Sequence, residues 1–142
     1  MTDGGIYYSG RGEELKKFNT KDGYGIVKIQ MMGIPVGIIT GRVSKIVAKR
    51  AEELGITEVH QNQLNKISTY EEIKNRLKLA DSEIAYMGDD EPDLDVLRIA
   101  GFSAAPTDAS KSVIRAADYV CSRKGGDGAV REVIDLLLGA RS

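Results

Sequence analysis

Hydrophobic residues fall in short runs along this chain, and most runs are followed by a segment in which apolar side chains recur every three or four positions. The runs that predict buried strands cover residues 34–39, 59–60, 84–87, 102–105 and 119–121. The periodic segments predict helices over residues 22–32, 43–54, 65 or 68 to 79, 92–100, 110–116 and 129–138. Strands that alternate with helices predict an α/β fold, with a parallel sheet covered by helices on both faces.

A glycine-rich turn near the start of the chain is surrounded by aromatic and alternating residues. Ile6 to Tyr8 and Leu15 to Phe18 flank it, which predicts a β-hairpin over about residues 4–19. Asp22 is expected to cap the helix that follows. Since no linker, low-complexity tract or internal repeat divides the sequence, we expect a single domain over residues 1–142 from which the hairpin protrudes.

Composition narrows the possible partners. The chain has 20 basic and 21 acidic residues, so it carries no charge pattern typical of binding to nucleic acid or to an anionic membrane. No apolar stretch is long enough to cross a bilayer, and the first residues lack the core of a signal peptide. Cys121 is the only cysteine, which excludes an intrachain disulfide and favours the cytoplasm.

Three carboxylates follow the apolar run 84–87, where a strand gives way to a helix. They belong to Asp89, Asp90 and Asp93, and carboxylate oxygens are the ligands that a hard cation such as Mg²⁺ prefers. Acids also cap helix N-termini, and Pro92 marks such a terminus. Three acids within five positions exceed what capping needs, so the segment predicts a magnesium site.

A second polar segment follows the apolar run 34–39. Thr40, Gly41 and Arg42 combine a hydroxyl, a flexible backbone and a guanidinium, which together suit a phosphate group. Thr40 also suits the N-cap of the next helix, and the two roles can coexist. Together with the acidic segment, these residues predict magnesium-dependent chemistry on a phosphate.

Six segments match one known family in the same order, namely residues 2–4, 18–23, 38–42, 65–66, 88–93 and 125–132. They resemble the 3-deoxy-D-manno-octulosonate 8-phosphate phosphatases of the haloacid dehalogenase superfamily. The resemblance implies a Rossmann-type three-layer sandwich with a parallel central sheet, a minimal cap and a protruding hairpin. It also implies magnesium-dependent hydrolysis of a keto sugar acid phosphate in the synthesis of lipopolysaccharide precursors.

The resemblance assigns roles to individual residues. Thr40 would hydrogen-bond the transferring phosphoryl group, and Lys66 would neutralise its charge. Asp89 would bind magnesium, while Asp90 and Asp93 would contact the metal directly, through water or through another ligand.

Substrate specificity and assembly are also implied by the resemblance. Arg42 beside Gly41 favours the eight-carbon sugar acid, since relatives acting on 2-keto-3-deoxynononate 9-phosphate tend to carry glutamate there. The glycine-rich segment 125–132, with Arg131 as a further substrate-binding residue, would lie near a neighbouring subunit's active site. Relatives form tetramers through their hairpins, so we expect a homotetramer.

The family's two catalytic aspartates do not appear in this sequence. In the family, the nucleophile and the acid that doubles as a base precede the Thr2 to Gly4 segment by a few residues, on the first central strand. Here Met1 stands directly before Thr2. The expectation is that both aspartates and the first strand are missing, so that turnover by this chain collapses and a gap is left between the strands 34–39 and 84–87.

Three interpretations of this departure differ in function. The favoured one is a phosphatase whose start was assigned at an internal methionine, about twenty residues too late. The second is a non-catalytic module that binds a phosphosugar or acts as a scaffold. A receiver-type signalling domain ranks last, because such domains place their acids early and their Thr and Lys later in the chain.

Overall fold

The computed structural model describes residues 1–141, and the predicted α/β fold is confirmed. The strands are β1 (Tyr7–Tyr8), β2 (Glu14–Leu15), β3 (Gly37–Ile39), β4 (Glu58–His60), β5 (Ala85–Met87), β6 (Phe102–Ala105) and β7 (Tyr119–Val120). The helices are α1 (Thr20–Met31), α2 (Lys45–Glu53), α3 (Lys66–Arg76), α4 (Leu94–Ile99), α5 (Lys111–Ala116) and α6 (Ala129–Arg141). Two 3₁₀ helices cover Asp81–Glu83 and Glu91–Asp93.

The parallel strands form two hydrogen-bonded sheets instead of one. β3 pairs with β4, and Ile38 lies opposite Val59. β5 pairs with β6, where Tyr86 lies opposite Ser103, and β6 pairs with β7. Among residues 1–141, β3 and β5 each keep one edge without a strand partner. The break falls between the two apolar runs where the sequence predicts a gap.

Helices cover both faces of the strands. Ala104 and Ala105 are neighbours on β6, yet they belong to different buried clusters, because successive side chains of a strand point to opposite faces. Ala104 packs on the side of α6, and Ala105 packs on the side of α4 and α5. Leu137 of α6 contacts both the cluster beside β6 and the cluster beside β3. Helix α6 therefore bridges the two sheets.

Several element boundaries differ from the prediction. The N-cap of α1 is Asn19, whose side chain accepts the backbone N–H of Lys21 at 2.9 Å. The expected Asp22 cap is wrong, because Asp22 lies in the first turn and its Oδ1 accepts the backbone N–H of Arg131 at 2.9 Å. Strand β3 is shorter than its apolar run, which includes Pro35, a residue without the N–H that a ladder needs.

Helix α2 begins at Lys45 because Ser44 caps it. The Ser44 hydroxyl accepts the backbone N–H of Val47 at 3.3 Å. Thr40 therefore does not cap α2. The segment predicted as one helix over 92–100 begins as the 3₁₀ turn Glu91–Asp93 and continues as α4.

The hairpin expected around the glycine-rich turn is present. Tyr7 pairs with Leu15, and Tyr8 pairs with Glu14, in an antiparallel register. The side chains of Tyr7, Tyr8 and Leu15 are 52%, 64% and 61% exposed.

Within the described residues, no helix has both the length and the apolar character that a membrane span requires.

Candidate active site

An open pocket of about 360 Å³ lies at the carboxyl ends of β5 and β6. In parallel α/β folds, ligands bind beyond this edge of the sheet. Oxygen-bearing side chains dominate the lining, and four of them are carboxylates. The lining residues are Thr2, Asp3, Gly4, Asp89, Asp90, Asp108, Ser110 and Gly125.

Asp93 anchors the segment that carries two of those carboxylates. Its side chain is only 4% exposed. Oδ1 accepts hydrogen bonds from Lys66 Nζ at 2.7 Å and from the Tyr86 hydroxyl at 2.6 Å. Oδ2 accepts the backbone N–H of Asp89 at 3.0 Å and of Asp90 at 3.2 Å. One buried carboxylate therefore fixes both Lys66 and the loop beside the pocket.

These contacts also set the ionisation of the cluster. Burial alone would raise the pKa of Asp93, but the hydrogen bonds from Lys66 and Tyr86 outweigh burial and hold that pKa below its usual range. Burial, followed by the charge of Asp93, raises the pKa of the Tyr86 hydroxyl. At neutral pH, Asp93 is therefore ionised and Tyr86 remains a hydrogen-bond donor.

Gly88 makes this arrangement possible. A Cβ at this position would lie 2.6 Å from Asp93 Cγ, which is closer than such atoms can approach. The glycine that follows β5 therefore lets the backbone pass directly over the Asp93 side chain.

The Asp89 carboxylate differs from its two neighbours. Within residues 1–141 it accepts no hydrogen bond, whereas Asp90 Oδ1 accepts the backbone N–H of Glu91 at 2.9 Å and caps the 3₁₀ turn. Asp89 is open to the pocket, yet the pocket walls still displace part of its hydration. This desolvation raises the pKa of Asp89, the charge of Asp93 adds to the effect, and Lys66 opposes it. A cation bound in the pocket would stabilise the ionised form of Asp89.

The chemistry of the lining fits Mg²⁺. The available ligands are carboxylate and hydroxyl oxygens, and no His or Cys lines the pocket. No group of three acidic, His or Cys side chains in the described part of the chain could hold a metal alone. Mg²⁺ is usually held by one or two carboxylates while it keeps several waters and binds substrate phosphate.

The predicted phosphate segment lies at the carboxyl end of β3. Thr40 extends the pairing with β4, since its N–H donates to the carbonyl of His60 at 2.9 Å. The Arg42 side chain is 49% exposed, and its guanidinium lies 3.5 Å from Glu14 Oε1 on the hairpin. The same Glu14 oxygen lies 3.6 Å from Lys16 Nζ. The cations of Arg42 and Lys16 thus share the carboxylate of Glu14 on hairpin strand β2.

Thr40 is also connected to the helix that carries Lys66. Its carbonyl accepts the backbone N–H of Gln63 at 2.9 Å, three residues before Lys66. Asn65 then caps α3 by accepting the N–H of Ser68 at 3.2 Å, which places Lys66 in the first turn. The loop after β4 therefore links the Thr40 segment to Lys66, and Lys66 is linked to the acidic segment through Asp93.

The Arg131 guanidinium is not among the groups that line the pocket. Its Nε donates to both carboxylate oxygens of Asp135 at 3.0 Å, and the guanidinium carbon lies 5.2 Å from the centre of the Tyr24 ring. In this chain the side chain packs between α1 and α6. Contact of Arg131 with a neighbouring subunit's site stays a prediction.

The glycine-rich segment itself does reach the pocket. Gly126 has a φ of +72°, and a Cβ there would lie 2.7 Å from the carbonyl carbon of Thr2. The backbone N–H of Gly125 donates to Asp108 Oδ1 at 2.9 Å. This segment therefore lies directly on the Thr2 to Asp3 backbone and closes one side of the pocket.

Sequence reasoning missed three residues of this site. Asp108 and Ser110 follow β6 at the same edge as Asp89, so the position after an apolar run was a usable signal. Tyr86 lies inside the run 84–87 and gave no such signal. Its partner Asp93 is seven residues away and is brought close only by the fold of the intervening loop.

Comparison with known proteins identifies similarity to a family of hydrolases. Residues 39–134 match the family described as haloacid dehalogenase-like hydrolase. The chain is 47% identical over 141 residues to the 3-deoxy-D-manno-octulosonate 8-phosphate phosphatase of Escherichia coli strain K12. This match covers 99% of the chain and 75% of that relative.

Solved structures agree with the sequence comparison. The phosphatase of the same description from Yersinia pestis superposes with a TM-score of 0.97 at 46% identity, covering 99% of this chain and 76% of that one. The Moraxella catarrhalis phosphatase in complex with magnesium, phosphate and KDO gives a TM-score of 0.95 at 40% identity, covering 98% and 80%. The cobalt-bound phosphatase from Haemophilus influenzae gives 0.93 at 36% identity, covering 99% and 82%.

Proposed function

The chain belongs to the 3-deoxy-D-manno-octulosonate 8-phosphate phosphatases of the haloacid dehalogenase-like hydrolases, and from this premise we propose that its pocket serves Mg²⁺-dependent hydrolysis of that sugar acid phosphate. The observation that carries the proposal is the open Asp89 carboxylate at the end of β5, held beside Lys66 through their shared partner Asp93. A metal ligand and a phosphate-binding cation are thereby fixed to one another.

Thr40 and Lys66 are the proposed phosphate-binding residues, with Gly41 beside them. The Lys66 ammonium supplies positive charge for the phosphoryl group, and the Thr40 hydroxyl supplies a hydrogen bond. The support is the connection from Thr40 through Gln63 to the first turn of α3.

Arg42 is proposed to bind the sugar acid. Its exposed guanidinium and Lys16 share the single carboxylate of Glu14, which leaves one positive charge for an anionic group.

Asp89 is the proposed magnesium ligand, since its carboxylate accepts no hydrogen bond in the described part of the chain. Asp90 would act through water, because it already caps the 3₁₀ turn. Asp93 has four hydrogen-bond donors on its two oxygens and is proposed to order the loop. Mg²⁺, when bound, neutralises charge that develops on the phosphoryl oxygens. Relatives solved with magnesium and with cobalt support a divalent cation here.

No nucleophile is proposed among the residues of this sequence. Asp3 lines the pocket, but its Oδ1 accepts the backbone N–H of Gly5 at 2.8 Å, and its Oδ2 lies 3.5 Å from the Tyr7 hydroxyl. These contacts fix Asp3 to the hairpin strand. We assign binding, orientation and charge neutralisation to this sequence. We place the reaction in the cytoplasm, where the buried Cys121 thiol would stay reduced.

Removal of the metal tests the proposed reaction. In protein that carries this sequence after the family's two catalytic aspartates, phosphate release from 3-deoxy-D-manno-octulosonate 8-phosphate is expected to fall at least about 100-fold on addition of EDTA and to return with Mg²⁺. A rate that EDTA leaves unchanged would contradict the metal assignment. Faster release from 2-keto-3-deoxynononate 9-phosphate would contradict the substrate assignment. Mg²⁺-dependent substrate binding by calorimetry without turnover would favour the non-catalytic phosphosugar-binding alternative.

We also propose that the hairpin assembles the protein into a homotetramer. An isolated two-stranded hairpin is marginally stable in water, and this one exposes Tyr7, Tyr8 and Leu15 together. Phe18, at the end of the predicted hairpin, packs within the same chain, where its ring centre lies 5.8 Å from the guanidinium carbon of Arg50. Within the two hairpin strands, Tyr7, Tyr8 and Leu15 are therefore the side chains proposed to contact other copies.

Tyr8→Asp is expected to shift the protein to smaller species, because it places a charge in the proposed contact between hairpins. Tyr24→Asp is a matched control, since Tyr24 is also 64% exposed but lies on α1. Light scattering measures the mass of each variant. A Tyr8→Asp protein of unchanged mass, or an equal shift in both variants, would count against the hairpin as the interface.

A further inference from the structure

We propose that Tyr86 is a positioning residue of the phosphate site, which acts by sharing the charge of Asp93 so that Lys66 remains available to phosphate. The inference rests on the proposed function for the role of Lys66. The hydroxyl of Tyr86 and the ammonium of Lys66 both donate to the same oxygen of Asp93, at 2.6 Å and 2.7 Å.

The geometry leaves Asp93 fully occupied. Its other oxygen accepts the two backbone N–H groups of Asp89 and Asp90, at 3.0 Å and 3.2 Å. Tyr86 stands on β5 and is held in register opposite Ser103. The sheet therefore fixes the position of the Tyr86 hydroxyl, whereas Lys66 reaches Asp93 on a flexible side chain from α3.

Loss of the Tyr86 hydroxyl changes how Asp93 and phosphate compete for the Lys66 ammonium. Each hydrogen bond donated to a carboxylate offsets part of its negative charge. Hydrogen bonds to a charged group are stronger than those between neutral groups. Without Tyr86, Lys66 becomes the only donor to Oδ1 and is held more tightly by Asp93. A phosphate then competes less well for the Lys66 ammonium. The Oδ2 contacts to the loop of Asp89 remain.

The chain contains a matched control away from the pocket. The Tyr70 hydroxyl donates to Asp81 Oδ1 at 2.8 Å, and Lys74 Nζ donates to the same oxygen at 3.1 Å. This trio has the same chemistry as Tyr86, Asp93 and Lys66. Tyr70→Phe therefore removes a comparable hydroxyl from α3 while the side chains of Tyr86, Asp93 and Lys66 stay in place.

The test compares inorganic phosphate affinity by calorimetry and KM for 3-deoxy-D-manno-octulosonate 8-phosphate in the wild type, Tyr86→Phe and Tyr70→Phe. We expect Tyr86→Phe to raise the phosphate Kd and KM about 5- to 20-fold, with the Mg²⁺ requirement changed less than about 2-fold. Tyr70→Phe should leave both constants within about 2-fold while lowering thermal stability.

A second background separates positioning from general stability. In Lys66→Met protein, adding Tyr86→Phe should change the phosphate Kd less than about 2-fold, because the group on which Tyr86 acts is gone. An equal effect of Tyr86→Phe in both backgrounds, or equal effects of Tyr86→Phe and Tyr70→Phe, would overturn the proposal. The phosphate Kd needs no turnover, so failure of the proposed reaction would show separately as wild type that binds phosphate but releases none. Wild type that binds no phosphate would overturn both.

Discussion

In protein that carries this sequence after the family's two catalytic aspartates, Asp89→Asn is expected to lower Mg²⁺-dependent phosphate release at least about 100-fold, because it removes the proposed metal ligand while keeping the shape of the pocket. The fold should be retained, since the Asp89 side chain accepts no hydrogen bond within residues 1–141. Its pKa is raised by desolvation and by the charge of Asp93, so the ionised group destabilises the folded state above its usual titration range. Without metal, the melting temperature of Asp89→Asn should therefore equal or exceed that of the wild type.

Asp90→Asn is the comparison for this experiment. It changes the neighbouring acid, whose side chain caps the 3₁₀ turn, and should reduce the rate less. Phosphate release is measured over a range of Mg²⁺ concentrations, and unfolding is followed in EDTA. Equal losses of rate in the two variants would remove the distinction drawn between these carboxylates.

Asp93→Ala should lower the free energy of unfolding by about 3–5 kcal/mol, the range found when one partner of a buried ion pair is removed. The loss leaves the Lys66 ammonium, the Tyr86 hydroxyl and two backbone N–H groups without their acceptor. Asp95→Ala is the control from the same segment. That side chain is 74% exposed and lies 3.7 Å from Arg98, so its loss should cost less than about 1 kcal/mol.

The pH dependence of this effect has a definite sign. Because the folded pKa of Asp93 lies below the ordinary value of 3.8, the carboxylate contributes stability above that pH and loses the contribution as pH falls through the folded value. The difference in unfolding free energy between wild type and Asp93→Ala should therefore be constant near neutral pH and shrink below about 3.8. Urea unfolding at pH 7 and in steps below pH 4 measures it. A difference that grows in acid would contradict the assignment.

Sequence reasoning placed Asp89 and Thr40 at one edge of the fold, because each follows an apolar run and parallel strands bring their carboxyl ends together. In the structure Asp89 lines the pocket, whereas Thr40 is not among the lining residues. The different environments of the Asp89 and Asp93 carboxylates could not be predicted from sequence position. The partners of Asp93 come from α3 and β5, and Lys66 lies 27 residues away in sequence. Which carboxylate is enclosed and which is open depends on tertiary packing.

The same limit explains the errors at element ends. Asn19 and Asp22 are both good capping residues, and local preference does not choose between them. Asp22 is drawn inward by the backbone N–H of Arg131, which the fold places beside it. The Arg131 guanidinium, in turn, is held by Asp135 and lies over Tyr24, contacts that a motif does not reveal.

The hydrogen bond between Asp22 and Arg131 joins residues 109 positions apart, so it can form only after synthesis has passed Arg131. A ribosome adding about 5–20 residues per second needs roughly 5–20 s to travel that distance. Throughout that interval Ile26 and Ile29 of α1 lack α6, against which they are later buried. The contact of the Thr2 to Asp3 backbone with Gly126 likewise cannot form until Gly126 has been synthesised. The apolar face of α1 therefore lacks its α6 neighbour until α6 emerges.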